Sequence, residues 1–330
     1  MQFAALALVI VLLLPAQITE AQQPASASRV GVLYPGAADY LTPGGPMAHV
    51  PRALREGLAK LGYVDGRNVA IDLRAAEGQI DRLRDLAAEL IERRTDVLIA
   101  TGPAALKAAR SVTAILPIVA IDLETDPVAA GYVTSLAHPG GNVTGVFLDQ
   151  AELSGKWLEL LREAVPGLSR VAVLRDAATP LHQLNAIEAA AKKLAVNLRT
   201  FEIRRVQDIE GAFARAVNSR AQAMVILSSP LVSRHSAELA AAATARRLPT
   251  MSMFRENVTA GCLMAYGPSL ADAWRRLGLF AGRLLNGAKA ADMPVERPDR
   301  FDFVVNMKTA RTLGLTVPPS LLIRAEQVIE

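Results

Sequence analysis

Short runs of Val, Ile and Leu recur along this chain, and between them lie segments whose apolar residues return every three or four positions. The first pattern suits strands covered on both faces and the second suits helices with one buried face, so the alternation predicts an α/β architecture with parallel sheets. Strands are predicted over 30–34, 69–74, 97–101, 118–122 and 143–147, and in a second series over 171–176, 198–203, 223–228, 250–254, 262–266 and 301–306. Ile80, Leu83, Leu86, Ala87, Leu90 and Ile91 share one helical face, as do Leu153, Trp157, Leu160, Leu161 and Val165; such faces cover sheets. Gly62, Gly167 and Gly314 follow helical runs, where a left-handed cap is wanted, and Pro166 ends the helix before it.

The unbroken apolar run from Phe3 to Leu14 departs from both patterns. It is about half the ~20 residues that a membrane-spanning helix needs. Pro15 follows it, and Thr19 and Ala21 supply small residues at the −3 and −1 positions of a cleavage site, so residues 1–21 read as an export signal peptide. No Lys or Arg precedes the run, and an uncleaved anchor is the alternative. Without this segment, which holds one acid (Glu20) and no base, the formal charge rises from +4 to +5. That charge lies in isolated doublets such as Arg93-Arg94 and Arg246-Arg247, not in the clustered basic face of a nucleic-acid binder. The remaining length is comfortable for two domains. Cys262 is the only cysteine; it rules out an internal disulfide and leaves no lipoprotein cysteine near the start, so the expected protein has no lipid anchor and is periplasmic.

The two strand series share a local feature. One strand ends Thr101-Gly102-Pro103 and another ends Ser228-Ser229-Pro230, each before a predicted helix. Proline suits a first helical turn, and a parallel sheet binds ligands at its carboxyl edge. A helix N-terminus contributes about 0.3–2 kcal/mol toward an anionic group, enough to orient it; plain helix capping explains either motif as well.

Longer motifs carry a family resemblance. The stretch Glu56-Gly57-Leu58, Leu61-Gly62-Tyr63-Val64-Asp65-Gly66-Arg67-Asn68-Val69 resembles the early signature of bacterial ABC transporter substrate-binding proteins related to the tryptophan-type binding protein. So do Thr125-Asp126-Pro127-Val128, Pro139-Gly140-Gly141-Asn142-Val143-Thr144-Gly145, Glu152-Leu153-Ser154-Gly155-Lys156 and Val165-Pro166-Gly167-Leu168. The C-terminal Asn306-Met307-Lys308-Thr309-Ala310 and Pro318-Pro319-Ser320-Leu321-Leu322 are similar as well. The resemblance implies a type I periplasmic-binding-protein fold: two Rossmann-like lobes joined by three crossing segments, near 145–149, 266–269 and 298–301. Lobe I would comprise 29–145 plus 267–299, and lobe II 146–266 plus 300–330. It further implies binding of a small solute, an amino acid or an aromatic or carboxylate-bearing compound, which is handed to an inner-membrane ABC permease with its ATPase; a monomer is expected. The family usually has Gly-Asp-Pro where this chain has Thr125-Asp126-Pro127, and the loop 35–51 is longer than usual. That loop is either a lid over the solute or an ordinary exposed connection.

With both lobes pointing strand ends at a cleft, the candidate ligand-binding residues are Tyr34, Thr101, Gly102 and Asp126 in the first lobe. In the second they are Asp176, Ser228, Ser229, Phe254 and Arg255, with Tyr266 at a crossing. Thr101 and the N–H groups after it would hold a carboxylate, Asp126 or Asp176 an amino group, and Arg255 is a candidate carboxylate clamp. Tyr34, Phe254 and Tyr266 would sandwich a planar group, or else pack as ordinary core aromatics. No catalytic constellation is evident. His49, His138, His182 and His235 are too scattered for a metal pair, and neither G-x-S-x-G nor G-x-G-x-x-G occurs. No cofactor, metal or catalytic residue is expected. The alternatives to a transport protein are a ligand sensor docking on a membrane signalling protein and a secreted hydrolase. A repressor of this fold would carry a helix-turn-helix where the export signal stands.

Overall fold

The computed structural model describes residues 27–330 other than Asp149; the predicted export signal, residues 1–21, lies outside the described residues. In chain order the strands are β1 (Ser28–Tyr34), β2 (Val69–Ala75), β3 (Val97–Thr101), β4 (Ile118–Asp122), β5 (Val143–Phe147), β6 (Arg170–Asp176), β7 (Asn197–Ile203), β8 (Ala223–Ile226), β9 (Thr250–Ser252), β10 (Met264–Pro268), β11 (Phe301–Asn306) and β12 (Gln327–Ile329). The helices are α1 (His49–Ala59), α2 (Leu83–Glu92), α3 (Gly102–Val112), α4 (Gln150–Ala164), α5 (His182–Lys193), α6 (Asp208–Asn218), α7 (Pro230–Arg234), α8 (Ser236–Ala245), α9 (Arg255–Thr259), α10 (Leu270–Leu285), α11 (Met307–Leu313) and α12 (Pro319–Arg324).

Two sheets form. The first is parallel throughout, in the order β2-β1-β3-β4-β5. The second runs β12-β11-β10-β9-β8-β6-β7, with β10 and β11 antiparallel and the other pairs parallel. Side chains alternate across each strand, so each sheet serves two apolar layers. Val30, Val32, Val97, Ile99 and Val119 join the cluster containing α1 and α10, while Leu33, Leu98, Ala100 and Ala120 pack with α2 and α3. In the second sheet Val171, Val173 and Val225 belong with Trp157 and Leu161 of α4, and Leu174, Met224 and Ile226 with Phe213 of α6.

Three segments cross between the sheets. One follows β5, one joins β10 to α10, and one leads from residue 296 into β11. Glu296 pairs by backbone hydrogen bonds with Gly145 and Phe147 of β5, and the Ser269 N–H donates to the Arg300 carbonyl at 2.9 Å, tying the second and third crossings together. Arg276 of α10 bonds Asp272, Glu296 and Asp299, anchoring the third crossing to the first lobe.

Helices α1 and α10 touch backbone to backbone. A Cβ on Gly57 would lie 2.0 Å from the Arg275 carbonyl oxygen, and one on Gly278 would lie 2.3 Å from that of Leu54. The second sheet departs from the predicted strands at its carboxyl edge: β8 stops at Ile226 and β9 at Ser252. At Ser228 the reason is visible, because its N–H and carbonyl bond the side chain of Gln183 in place of a neighbouring strand. Strand β12 carries no pattern of its own beyond three residues and was not predicted. Cys262 is buried and free, and burial pushes its thiol up to about 11, as an inert core thiol requires. No helix among the described residues is long and apolar enough to cross a membrane.

Candidate functional site

The carboxyl ends of β3 and β4 face those of β6 and β8 across the gap between the sheets. The contact that joins them is a hydrogen bond from the Ser228 hydroxyl to Glu124 Oε1 at 2.9 Å. Gln183 of α5 fixes the serine from behind: its Nε2 donates to the Ser228 carbonyl and its Oε1 accepts the Ser228 N–H, both at 3.0 Å. Ser228 and Gln183 are buried.

Acids accumulate here. Asp122 ends β4, is fully buried, and accepts the Glu124 N–H at 3.0 Å on Oδ1, while its Oδ2 has no partner. Glu124 Oε2 is likewise buried without a partner. Asp176 ends β6 on the other side of the gap and accepts the Ala178 N–H at 2.9 Å. Burial pushes the Glu124 carboxyl up to about 8, reinforced by Asp122 and Asp176 and opposed by the Ser228 hydrogen bond. Burial also raises Asp122 to about 6, against the lowering effect of the Glu124 N–H and of the Thr125 hydroxyl and N–H.

A second flank of the same gap is open. A cavity of about 450 Å³ lies between His49 and Arg52 of α1, Ala271 of α10, and Arg255 and Glu256 of α9. Both carboxylate oxygens of Glu256 are buried without a hydrogen bond, and His49 Nε2 stands 3.6 Å from Oε1. Burial raises Glu256 to about 7, and burial together with Arg255 and Arg52 lowers His49. Both shifts favour the neutral forms and so weaken the attraction between the two side chains.

The residues predicted from sequence divide. Thr101 is buried, and its hydroxyl donates to the Leu33 carbonyl at 3.0 Å; it does not cap α3. Gly102 opens that helix at φ +79°, and a side chain there would meet nothing within 4 Å. Tyr34 is half-buried, its hydroxyl is 3.6 Å from Met47 Sδ, and burial pushes it up to about 12, with Tyr40, Asp39 and Glu256 adding. Asp176 and Ser228 are both buried at the carboxyl edge of the second sheet, on the acidic flank.

The five others are engaged locally. Asp126 is exposed, and its Oδ1 accepts the N–H groups of Val128 and Ala129 at 2.9 and 3.1 Å: it caps a turn, where an amine-binding role was expected. Ser229 caps α7 through the Val232 N–H at 3.0 Å. That helix has five residues, too few for the dipole expected of it. The Tyr266 ring stacks on Phe301 at 5.5 Å and meets Phe303 edge-on at 6.3 Å, so it packs against two aromatics of the second sheet. Arg255 is exposed, bonds Gln327 and lies 4.0 Å from Asp302, although it also lines the open cavity. Phe254, half-buried before α9, packs against the main core.

Asp122, Glu124, Gln183, His49 and Glu256 were not among the predicted residues. Asp122 was within reach, since it ends a predicted strand, and Glu124 follows at a two-residue spacing. The loop 35–51 holds a 3-10 turn, Ala38–Leu41, and its Tyr40 hydroxyl donates to the Arg234 carbonyl across the gap at 2.9 Å.

Among known proteins, the family model of ABC transporter substrate-binding proteins matches residues 44–329. A tyrosine-binding protein of Clostridioides difficile is 25% identical over 268 residues, covering 79% of this chain and 75% of that protein. The structure of an ABC domain from Streptococcus pneumonia in complex with L-Trp superposes with a TM-score of 0.82 at 25% identity, covering 92% of this chain and all of that one. A ligand-free, open substrate-binding protein with adhesive properties from Clostridium difficile gives 0.68 at 23% identity, over 92% of this chain and 99% of that one. These neighbours share the type I periplasmic-binding-protein fold, as the sequence resemblance implied.

Proposed function

The chain belongs to the family of ABC transporter substrate-binding proteins, and from that premise we propose that it captures a small solute in the gap between its lobes and delivers it to an inner-membrane permease. The observation that carries this reading is the Ser228–Glu124 hydrogen bond between two strand-end clusters, with buried polar atoms beside it that have no protein partner. Buried polar groups are normally satisfied, so a set left open at a lobe junction is what a solute completes. The solute class proposed is an amino acid or an aromatic or carboxylate-bearing compound. The relatives that bind tyrosine and tryptophan support it.

In this reading the N–H groups at the start of α3, after Gly102, orient an anionic group, and Tyr34 and Phe254 bound the planar portion. Solute bridging both lobes favours the closed form by its differential affinity for that form, and the permease recognises it. The protein acts as a monomer in the periplasm and releases its solute unchanged. The lobe limits proposed are those of the sequence reading.

A thermal-shift screen of amino acids, aromatic acids, sugars and small amines tests this. A solute at 100 times its Kd adds about 2.7 kcal/mol of stability, which raises Tm clearly. One class of hits without turnover supports the proposal, and chemical conversion of a hit overturns it.

A further inference from the structure

We propose that the loop between β1 and α1, residues 35–48, is a strap: together with the Ser228–Glu124 bond it holds segment 228–234 of the second lobe at both ends, and it keeps a fraction of the protein closed before any solute arrives. This goes beyond the solute-binding reading and rests on it only for the opening and closing of the lobes.

The loop is folded on itself and presents a fixed surface. The Gly45 N–H donates to the Thr42 carbonyl and the Met47 N–H to the Tyr40 carbonyl, both at 2.9 Å. A Cβ on Gly45 would lie 2.2 Å from the Asp39 carbonyl oxygen, so the two arms of the loop touch. Leu41 is buried in the main core. The turn after β2 braces the loop from the side: the Ala38 N–H donates to Glu77 Oε1 at 3.0 Å, and the N–H groups of Glu77 and Gly78 donate to the Gly36 and Pro35 carbonyls at 3.1 and 2.9 Å. Long connections with little regular structure are commonly either slack or functional, and this one is not slack.

Arg234, the last residue of α7, meets that surface twice. The Tyr40 hydroxyl donates to the Arg234 carbonyl at 2.9 Å, and Arg234 Nη1 donates to the Glu77 carbonyl at 3.4 Å. A carbonyl at a helix end lacks an intrahelical partner, so Tyr40 fills a need that α7 leaves open. At the other end of the segment the Ser228 hydroxyl donates to Glu124. Between the two ends Ser229 caps α7 and Val232 is buried in the core of the second lobe, so the segment moves with that lobe. One bond across a gap is a pivot; bonds at both ends of a stiff segment oppose rotation about either, and opening must break them together. Glu77 and Arg234 are exposed and Tyr40 is half-buried, so water competes least for the Tyr40 bond. A neutral hydrogen bond shifts a two-state ratio by about two- to tenfold, enough to hold a closed fraction and little enough to let a solute enter. The solute then spends less of its affinity on closure.

Pulsed dipolar spectroscopy on the solute-free chain tests the strap. Spin labels go on Ile115→Cys, before β4 of the first sheet, and Ile323→Cys, in α12, which packs on α4 of the second; both positions are exposed, and Cys262 is buried away from the reagent. The labelled native chain is compared with the same chain carrying Tyr40→Phe, which removes only the hydroxyl, and Arg234→Ala, which removes the guanidinium and keeps the carbonyl. The expected result is a short-distance population in the native chain, a closed-to-open ratio about two- to tenfold lower in Tyr40→Phe, and a smaller loss in Arg234→Ala. A native chain that is wholly open, or a Tyr40→Phe chain that is equally or more closed, overturns the strap. No solute enters the measurement, so either failure leaves the solute-binding reading standing, and a blank solute screen leaves the strap standing.

Discussion

Asp126 and Ser229 show how the same residue type serves a turn or a cleft according to what it bonds. Each accepts N–H groups two or three residues ahead, as local caps do. Asp126→Ala is therefore expected to lower apo stability by about 0.5–2 kcal/mol with solute affinity unchanged, and Ser229→Ala to behave alike. Chemical denaturation beside a binding isotherm separates the two effects; a loss of affinity from Asp126→Ala without loss of stability would return that residue to the cleft. Ser228 is the contrast, since its hydroxyl reaches the opposite lobe and its backbone is held by Gln183. The sequence did not distinguish the two serines, because adjacent residues at a strand end face different ways only after the backbone has turned.

At the scale of elements, the packing of α1 on α10 makes the sharpest demand. Gly57 and Gly278 sit where a Cβ would overlap backbone carbonyls of the facing helix, which no side-chain motion can relieve. Gly278→Ala must push the helices apart and is expected to cost roughly 1–3 kcal/mol or more, visible as a lowered midpoint in urea at unchanged slope. A stability equal to that of the native chain would mean that α10 sits farther from α1 in solution. Both glycines fall inside helical patterns where glycine is otherwise unfavourable, so a close approach was legible there in principle, though not which helix approaches. The loop 35–51 has a comparable ambiguity. Its Gly and Pro content suits any exposed connection, and only the Tyr40 bond to the Arg234 carbonyl shows that it spans the gap.

For the whole molecule, the raised carboxyls set a pH dependence. Glu124 at about 8, Glu256 at about 7 and Asp122 at about 6 all exceed the ordinary carboxylate range that the unfolded chain shows. The folded protein thus holds protons that the unfolded chain has already released, and stability falls as pH rises. This contribution is fully present below about pH 4, and is lost progressively as pH climbs through 6, 7 and 8. The expected outcome is a Tm of the solute-free protein that declines between pH 5 and pH 8.5, with a shallower decline in Glu124→Gln. In the proposed capture mechanism, closing the lobes would bring Glu124 against Ser228, so the same proton would favour the closed form, and scattering should show a more compact solute-free particle at pH 5 than at pH 8.5. A Tm that rises over that range would show these acids to be ionised and solvated in solution.

Alternation of covered strands and one-faced helices is a local property of the chain, written into residue periodicity, and it was enough to place the strands of both sheets to within a few residues, apart from β12. Family motifs extended this to the lobed fold, because glycine and proline positions record where the backbone must turn. The gap between the lobes is different in kind. Asp122 belongs to one sheet and Asp176 and Ser228 to the other, 54 and 106 positions further along, and nothing near any of them specifies the others. Their shared burial and the hydrogen bond from Ser228 to Glu124 arise only when two sheet edges face each other. The tertiary structure decided them, because burial and Coulomb repulsion depend on distance in space and not on separation along the chain.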